Sequence, residues 1–394
     1  MFNNNKNAQI ELYIFVVVIK RIKKNTLEIT LIWFTLFLTI RLIFGGDFSH
    51  FIVAGSDYYD SCNFEHGIII KAGQGYDGQF FYRYALNPFS IEYPGIKVDL
   101  PPYRHQRITY PLLAWLLSFN NPGLVPASLV IINLLALFGC SVFLLKIFKT
   151  YKINSSNLIT FVLLPGIYLS TSRDLSEVVE LFFLLASFYY LINDKIRYFL
   201  LFSLLGLLTR ETGVILYFPL VLWYFYKNFK LKRISSLLVF LPIGLMFLWK
   251  LFLDGIYPNY SVPKQNLAFP FMGIINSISI NVHPVTTKDW IESIVWFIHL
   301  TWTFTLFAKT VSLIFEKRDW FKDPIPVIIL SGVSFSTIFS SAIYIDDWAF
   351  VRILSPLCLM CLIYLLKHGK VPKFLLYSAV PIFAFTILRL WIRV

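Results

Sequence analysis

Apolar runs punctuated by short charged clusters divide the chain into eleven candidate spans. They lie near 27–44, 124–146, 157–171, 175–193, 198–209, 213–226, 235–253, 290–315, 324–345, 349–366 and 374–392. Apolar stretches of this kind predict helices that cross a bilayer, because a helix satisfies its backbone polar groups internally. Several runs fall short of the about 20 residues that a span normally takes. The pairs 157–171 with 175–193, and 198–209 with 213–226, therefore predict hairpins whose tips dip into the membrane or an internal cavity. A competing pattern fuses 198–226 into one helix with Arg210 and Glu211 at its centre. That helix would bury an ion pair in lipid and place its flanking basic runs in opposite compartments.

Hydrophobic residues make up 57% of the chain and charged ones 14%, more apolar surface than a soluble core of this length can use. The 18% aromatic content fits lipid-facing helices and interfacial belts. The expected fold is an all-α polytopic membrane protein with about 11 transmembrane helices. Residues 27–394 would form a single transmembrane domain behind a cytosolic segment, 1–26.

Charge sets the orientation. The segments 1–25, 146–156, 194–197, 227–234, 316–323 and 367–373 hold 20 of the 35 Lys and Arg residues but only 5 of the 22 acids. The net charge of +13 thus gathers in short loops on one face, which makes that face cytosolic. The expected location is the cytoplasmic (inner) membrane, multi-pass, with the N-terminus cytosolic and the long loops 45–123 and 254–289 outside. No soluble basic domain exists to bind nucleic acid. The apolar stretch Ile10–Ile19 precedes its basic residues Arg21, Lys23 and Lys24, the reverse of a signal peptide, and predicts a cytosolic surface helix. Cys358 and Cys361 form a C-x-x-C inside a span without further Cys or His, which argues against zinc or thiol-redox roles. Neither a Walker motif nor a Gly-rich nucleotide loop is present.

The outer side gathers the candidate chemistry. The first long loop carries Gly75-Tyr76-Asp77-Gly78-Gln79-Phe80-Phe81-Tyr82-Arg83, which sets one carboxylate among glycines and aromatics. Glycine lets backbone approach a ligand closely, and the rings offer flat faces to a sugar or a lipid tail. The same loop carries Arg104 and Arg107, and the tips hold Arg173-Asp174, Glu177, Arg210-Glu211 and Asp346-Asp347-Trp348, with Arg352 one turn further on. Bland readings stand beside these. Asp174 would be a helix N-cap with Glu177 completing a capping box, Asp77 an ordinary turn residue, and Arg210 and Glu211 a pair that caps helix ends. Asp346 and Asp347 would be solvated span ends, and Trp348 an interface anchor. Tyr110–Phe119 is apolar but too short to cross, so it predicts a juxtamembrane helix on the outer face, as does Leu267–Ile280.

The string Gly75–Tyr82, the run from Pro101 through Arg104 and Arg107 to Leu117, and Leu208-Thr209-Arg210-Glu211-Thr212 together resemble a group of bacterial multi-spanning proteins of cell-surface glycopolymer formation. That group resembles the GT-C class of membrane glycosyltransferases. The likeness runs from about Leu31 to Ile215 in motifs, and beyond as hydropathy alone. It implies a polyprenyl-phosphate-linked sugar as donor, chemistry on the extracytoplasmic face, and an essential acid in the first outer loop, here Asp77. Many such enzymes pair two neighbouring acids there. Here no acid adjoins Asp77, the next being Asp60, Glu65 and Glu92, so dependence on a divalent metal stays open and no metal ligand is assigned.

The expected reaction is an inverting transfer of a sugar to a cell-surface glycan or lipid-linked acceptor. Asp77 would be the general base, with its pKa raised in an apolar cavity. Arg210, Arg352, Arg104 and Arg107 would bind the donor phosphate. Tyr76, Gln79, Phe80, Tyr82, Asp174, Glu177 and Glu211 would line the substrate path. The alternatives are a flippase or transporter of lipid-linked glycans, and a polysaccharide polymerase or ligase. A transporter signature would be charges in mid-span; here Arg41, Lys250, Lys309 and Arg389 lie mostly near span ends.

Overall fold

The computed structural model describes residues 26–59, 67–89, 98–229, 236–258 and 266–392. The stretch Ile10–Ile19, Cys62 and the acids Asp60, Glu65 and Glu92 lie outside the described residues. Helix α1 (Thr26–Gly45) leads into the first long loop. There strands β1 (Ala54–Gly55) and β2 (Ile70–Lys71) pair in parallel, Gly55 opposite Lys71, and an isolated antiparallel bridge joins Leu267 to Phe339. Short helices α2 (Gly78–Leu86), α3 (Pro101–His105) and α4 (Thr109–Leu117) follow. The bundle continues with α5 (Val125–Thr150), α6 (Ile159–Val162), α7 (Pro165–Thr171), α8 (Glu177–Ile192), α9 (Ile196–Thr209) and α10 (Val214–Phe229). It closes with α11 (Leu241–Ile256), α12 (Met272–Asn281), α13 (Thr287–Lys317), α14 (Pro324–Thr337), α15 (Ser341–Tyr344), α16 (Asp347–Ile353), α17 (Ser355–Lys367) and α18 (Lys373–Ile392).

Each apolar stretch read from the sequence is helical over most of its length. Among the described residues, five helical segments are long and apolar enough to cross a membrane: Thr26–Gly45, Pro122–Thr150, Leu238–Ile256, Lys288–Lys317 and Lys373–Leu390. The pair α16–α17, bent by 52°, adds a sixth if it is counted as one broken span. The chain is therefore a multi-pass helical protein, with fewer full-length spans by these criteria than the hydropathy pattern predicts. Proline explains two of the breaks. Pro356 lacks the N–H that would bond the Arg352 carbonyl, so α16 ends there, and Pro165 starts α7 after the break from α6.

The fused helix over 198–226 does not form. Arg210 is extended (φ −158°, ψ 122°), and a single 3-10 turn, Glu211–Gly213, separates α10 from α9. Helices α5, α8 and α9 pack as one layer, α10 packs on α14, and α13 packs on α17. The segments expected to lie along one surface are the short helices α4 and α12. At the C-terminal ends of α5 and α17, a polar knot joins neighbouring elements. Tyr151 donates to Asp323 at 2.9 Å, Tyr364 to Asp319 at 2.7 Å, and Lys367 reaches both acids, at 2.5 and 3.2 Å. The N-terminal ends of the same two helices lie toward a second charged layer, which holds Asp77.

Candidate active site

The glycines around Asp77 hold it in place. Gly75 has φ +67°, and a Cβ there would strike the Gly55 amide and the Val53 carbonyl, so only glycine fits. Tyr76 N–H donates to Val53 O at 2.8 Å, and the Gln79 side chain ties Gly55 N (3.1 Å) to Gln74 O (2.8 Å). The missing Cβ of Gly78 leaves room for the Arg173 carbonyl, which docks the turn between α7 and α8 against the Asp77 turn. Asp77 opens α2 but makes no capping bond. Its carboxylate turns instead toward Arg104 Nη2 (3.1 Å) and Arg352 Nη2 (3.5 Å), and the side chain stays 28% exposed.

From Asp77 a network of ion pairs runs across four separate parts of the chain. Asp99 grips Arg104 through two bonds, 2.9 and 2.7 Å. Arg352 Nη1 reaches Glu177 Oε1 at 2.9 Å, and Arg210 meets the same oxygen. Arg210 Nε lies 3.8 Å from Glu180 Oε2 and donates to Thr212 Oγ1 at 2.9 Å. Arg107 forks onto Glu211 at 2.8 and 2.6 Å and also bonds the Tyr103 hydroxyl. Each of the four arginines therefore already has a carboxylate. Charges this far from water are tolerated because they are paired.

Electrostatics at Asp77 differ from the sequence expectation. Burial pushes its carboxyl up, but Arg104 and Arg352 outweigh burial and hold it well below the usual carboxylate range. Asp77 is an ionised acid, not one made more basic by an apolar cavity. The same balance holds Glu211 low: burial raises it, and the Arg107 guanidinium more than compensates.

Beside this network lies a cavity of about 380 Å³. Its polar lining includes Asp77, Tyr103, Arg107, Arg210, Glu211 and Arg352. Its apolar lining comes from α10, α14, α15 and α16 and includes Ile215, Phe335, Ile343 and Ile353. A groove of about 450 Å³ between α4, α5 and α8 is lined by apolar residues such as Leu116 and Phe182 and holds no titratable group. The candidate site is therefore the Asp77 cavity. No family model, curated protein or solved structure matches this chain. The chemistry must be read from the cavity itself.

Several residues assigned to the substrate path do not line this cavity. Gln79 is buried and spent on the turn, Phe80 lies under the Arg104 guanidinium (4.4 Å to the ring centre), and Tyr82 is in the core. The Tyr76 ring stacks between Arg173 (4.2 Å) and Arg352 (5.1 Å), a partition and not a cavity wall. Asp174 is fully buried with both carboxylate oxygens unpartnered, and burial pushes its carboxyl well above its ordinary range. It is not an N-cap: Ser176 holds that position, without a side-chain bond, and Glu177 serves Arg210 and Arg352 in place of a capping box. Arg210 and Glu211 do not pair with each other, because the tight turn directs them to Glu177 and Arg107. Arg104 stands behind Asp77, not in the wall. Trp348 is buried, its ring faced by Arg173 at 3.9 Å and Arg389 at 5.2 Å, so it is no lipid-interface anchor. Asp347 is no solvated end either: it bonds His299 at 2.8 Å and Arg389 at 2.5 Å.

The sequence reading gave Glu180, Tyr103 and Asp99 no role in the site. Glu180 follows Glu177 by three residues, which puts both acids on one face of α8, and that spacing was a visible signal. Asp99 and Tyr103 gain meaning only from the fold of the loop. Among the described residues no three of His, Cys, Asp and Glu converge to hold a metal ion.

Proposed function

We propose that the protein is an integral-membrane glycosyltransferase that moves a sugar from a polyprenyl-phosphate donor to a cell-surface glycan or lipid-linked acceptor, with inversion, on the extracytoplasmic face. The observation that supports this best is the mixed lining of the cavity. It joins an ionised, partly exposed carboxylate between arginines to an apolar wall of lipid-chain character. A substrate with a sugar phosphate at one end and a hydrocarbon chain at the other matches that mixture, and the volume falls in the range of ligand pockets.

In this reading Asp77 takes the proton from the acceptor hydroxyl as its oxygen bonds the anomeric carbon. The bond from that carbon to the phosphate oxygen breaks, and the lipid phosphate leaves with the electron pair. Arg352, beside Asp77 in the wall, is the guanidinium best set to meet that charge, with Arg210 and Arg107 next. When the phosphate draws Arg352 away from Asp77, the charge that suppresses the carboxylate's basicity is shared. The acid becomes a better base only once donor is bound. Arg104 remains with Asp99 and keeps Asp77 oriented.

The test is Asp77→Asn, which keeps size but removes the basic carboxylate. Glycan output in cells should fall by on the order of 10²–10⁴, the usual effect of removing a general base. Donor binding and melting temperature should hold. Wild-type glycan output from Asp77→Asn would sink the transferase reading and favour transport of a lipid-linked glycan.

A further inference from the structure

We infer that a second site for a phosphate group lies on the far side of the Tyr76 ring from the Asp77 cavity, with Lys71 and Arg173 at its mouth and Arg41 and His50 beneath. The arginines of the Asp77 network are all matched by carboxylates, whereas the cations across Tyr76 are not. Among the described residues, Arg173, Lys71 and Arg41 have no carboxylate within ion-pair distance. Arg173 is held by faces, not by an acid: Tyr76 lies on one ring contact at 4.2 Å and Trp348 on another at 3.9 Å. Such stacking fixes a guanidinium while leaving its N–H edge available.

Three buried nitrogens of this group, Arg41 Nε, His50 Nε2 and Arg173 Nε, have no hydrogen-bond partner. Unmet buried polar groups are rare and costly, and two unmet guanidinium N–H groups near Lys71, with the neutral His50 imidazole beside them, point to an anion. The two acids that act on the cluster are spent elsewhere. Asp47 caps its own turn through Ser49 N and Oγ, both at 2.6 Å, and Asp346 caps α16 through Trp348 N at 3.1 Å. The cations feel one another as well. After burial, Arg41 and Arg173 push the Lys71 amine down, and Arg41 and Lys71 help push His50 down to about 4. A phosphate relieves all of these at once. Lys71 and Arg173 are partly buried, neither fully enclosed, and open space lies above Gly73, so the mouth is reachable from solvent.

The chemistry is that of a phosphate mono- or diester, carried either by a lipid headgroup or by a free anion. This site does not depend on the transferase reading, and its test involves no turnover. The probe is acylation of Lys71 by an impermeant amine reagent, followed by mass spectrometry of purified protein in phosphatidylcholine nanodiscs. A neutral amine reacts, so a bound phosphate that raises the Lys71 pKa by one unit slows labelling about tenfold. Replacing part of the lipid with phosphatidylglycerol should slow labelling and identify a lipid phosphate. Slowing by inorganic phosphate or pyrophosphate alone identifies a free anion. Arg173→Gln should abolish the protection. Lys71→Ala, which leaves the stacked Arg173 in place, should lower the phosphatidylglycerol or phosphate retained in native mass spectrometry. Equal Lys71 labelling under all lipid and anion conditions, together with unchanged retention in Lys71→Ala, overturns the site.

Discussion

The Arg352 guanidinium donates to the Glu177 carboxylate at 2.9 Å, joining residues 175 positions apart. With its other terminal nitrogen 3.5 Å from Asp77, Arg352 connects the first long loop, the α7–α8 turn and α16. Glu177 in turn accepts Arg210 from the α9–α10 turn. One guanidinium thus governs both the assembly of the site and the charge on its acid.

Replacing Arg352 should therefore affect stability and chemistry together. Arg352→Ala leaves the buried Glu177 with Arg210 as its one remaining cation, so it should cost stability but less than the about 3–5 kcal/mol of a buried charge that loses its sole partner. Arg352→Lys keeps the charge but lacks the fork that reaches two carboxylates, so it should recover part of the melting temperature and little of the turnover. Thermal unfolding in detergent beside glycan output separates the two effects. Equal recovery of both by lysine contradicts the bridging role.

The depressed Asp77 carboxyl fixes a pH window. Its folded pKa lies below its unfolded value, so it contributes stability above an unfolded pKa of about 3.9, lost as pH falls through the folded value. From pH 5 upward the free protein keeps Asp77 ionised, and kcat/KM should show no acid limb from it. If donor phosphate draws Arg352 away, the limb in kcat should move to higher pH than that in kcat/KM. Coincident limbs in the two profiles argue against charge sharing.

Arg107 and Glu211 pair across the cavity rim through two bonds of 2.8 and 2.6 Å. A double-mutant cycle with Arg107→Ala and Glu211→Ala should give a coupling of about 0.5–3 kcal/mol in unfolding. Glu211→Gln should lower the melting temperature more than turnover if the pair is structural. The reverse order would place Glu211 on the substrate.

Gly78→Ala puts a methyl group where the Arg173 carbonyl sits. Backbone cannot swing aside as a flexible side chain does, so the α7–α8 turn must shift away from Asp77. Turnover should fall sharply even though alanine favours helix, and Gly244→Ala, at an open helical position, should leave turnover unchanged. Similar behaviour of the two variants would rule out a docking role for Gly78.

Orientation is testable at exposed positions. In a background lacking Cys62, single cysteines at Gln74 and Lys288 should label from outside with an impermeant thiol reagent, and one at Lys370 should not. The expectation follows from the basic residues gathered in one set of loops. External labelling at Lys370 reverses the topology and, with it, the side on which Asp77 works.

Hydrophobic runs determined the helical, multi-pass class and nearly all helix positions, because burial of apolar length is written locally along the chain. The sequence also identified Asp77 and the arginines, since charge and glycine are conspicuous among apolar residues. Which arginine meets which acid was not legible. Arg210 stands next to Glu211 in the chain, yet the extended backbone at Arg210 sends it to Glu177, while Glu211 goes to Arg107. The sign of the Asp77 shift was lost for the same reason: burial alone raises a carboxyl, and only tertiary packing brings Arg104 and Arg352 close enough to reverse it. Local pattern sets what a residue is. The pairing of charges acts over a few ångströms in space, and only the folded chain decides those distances.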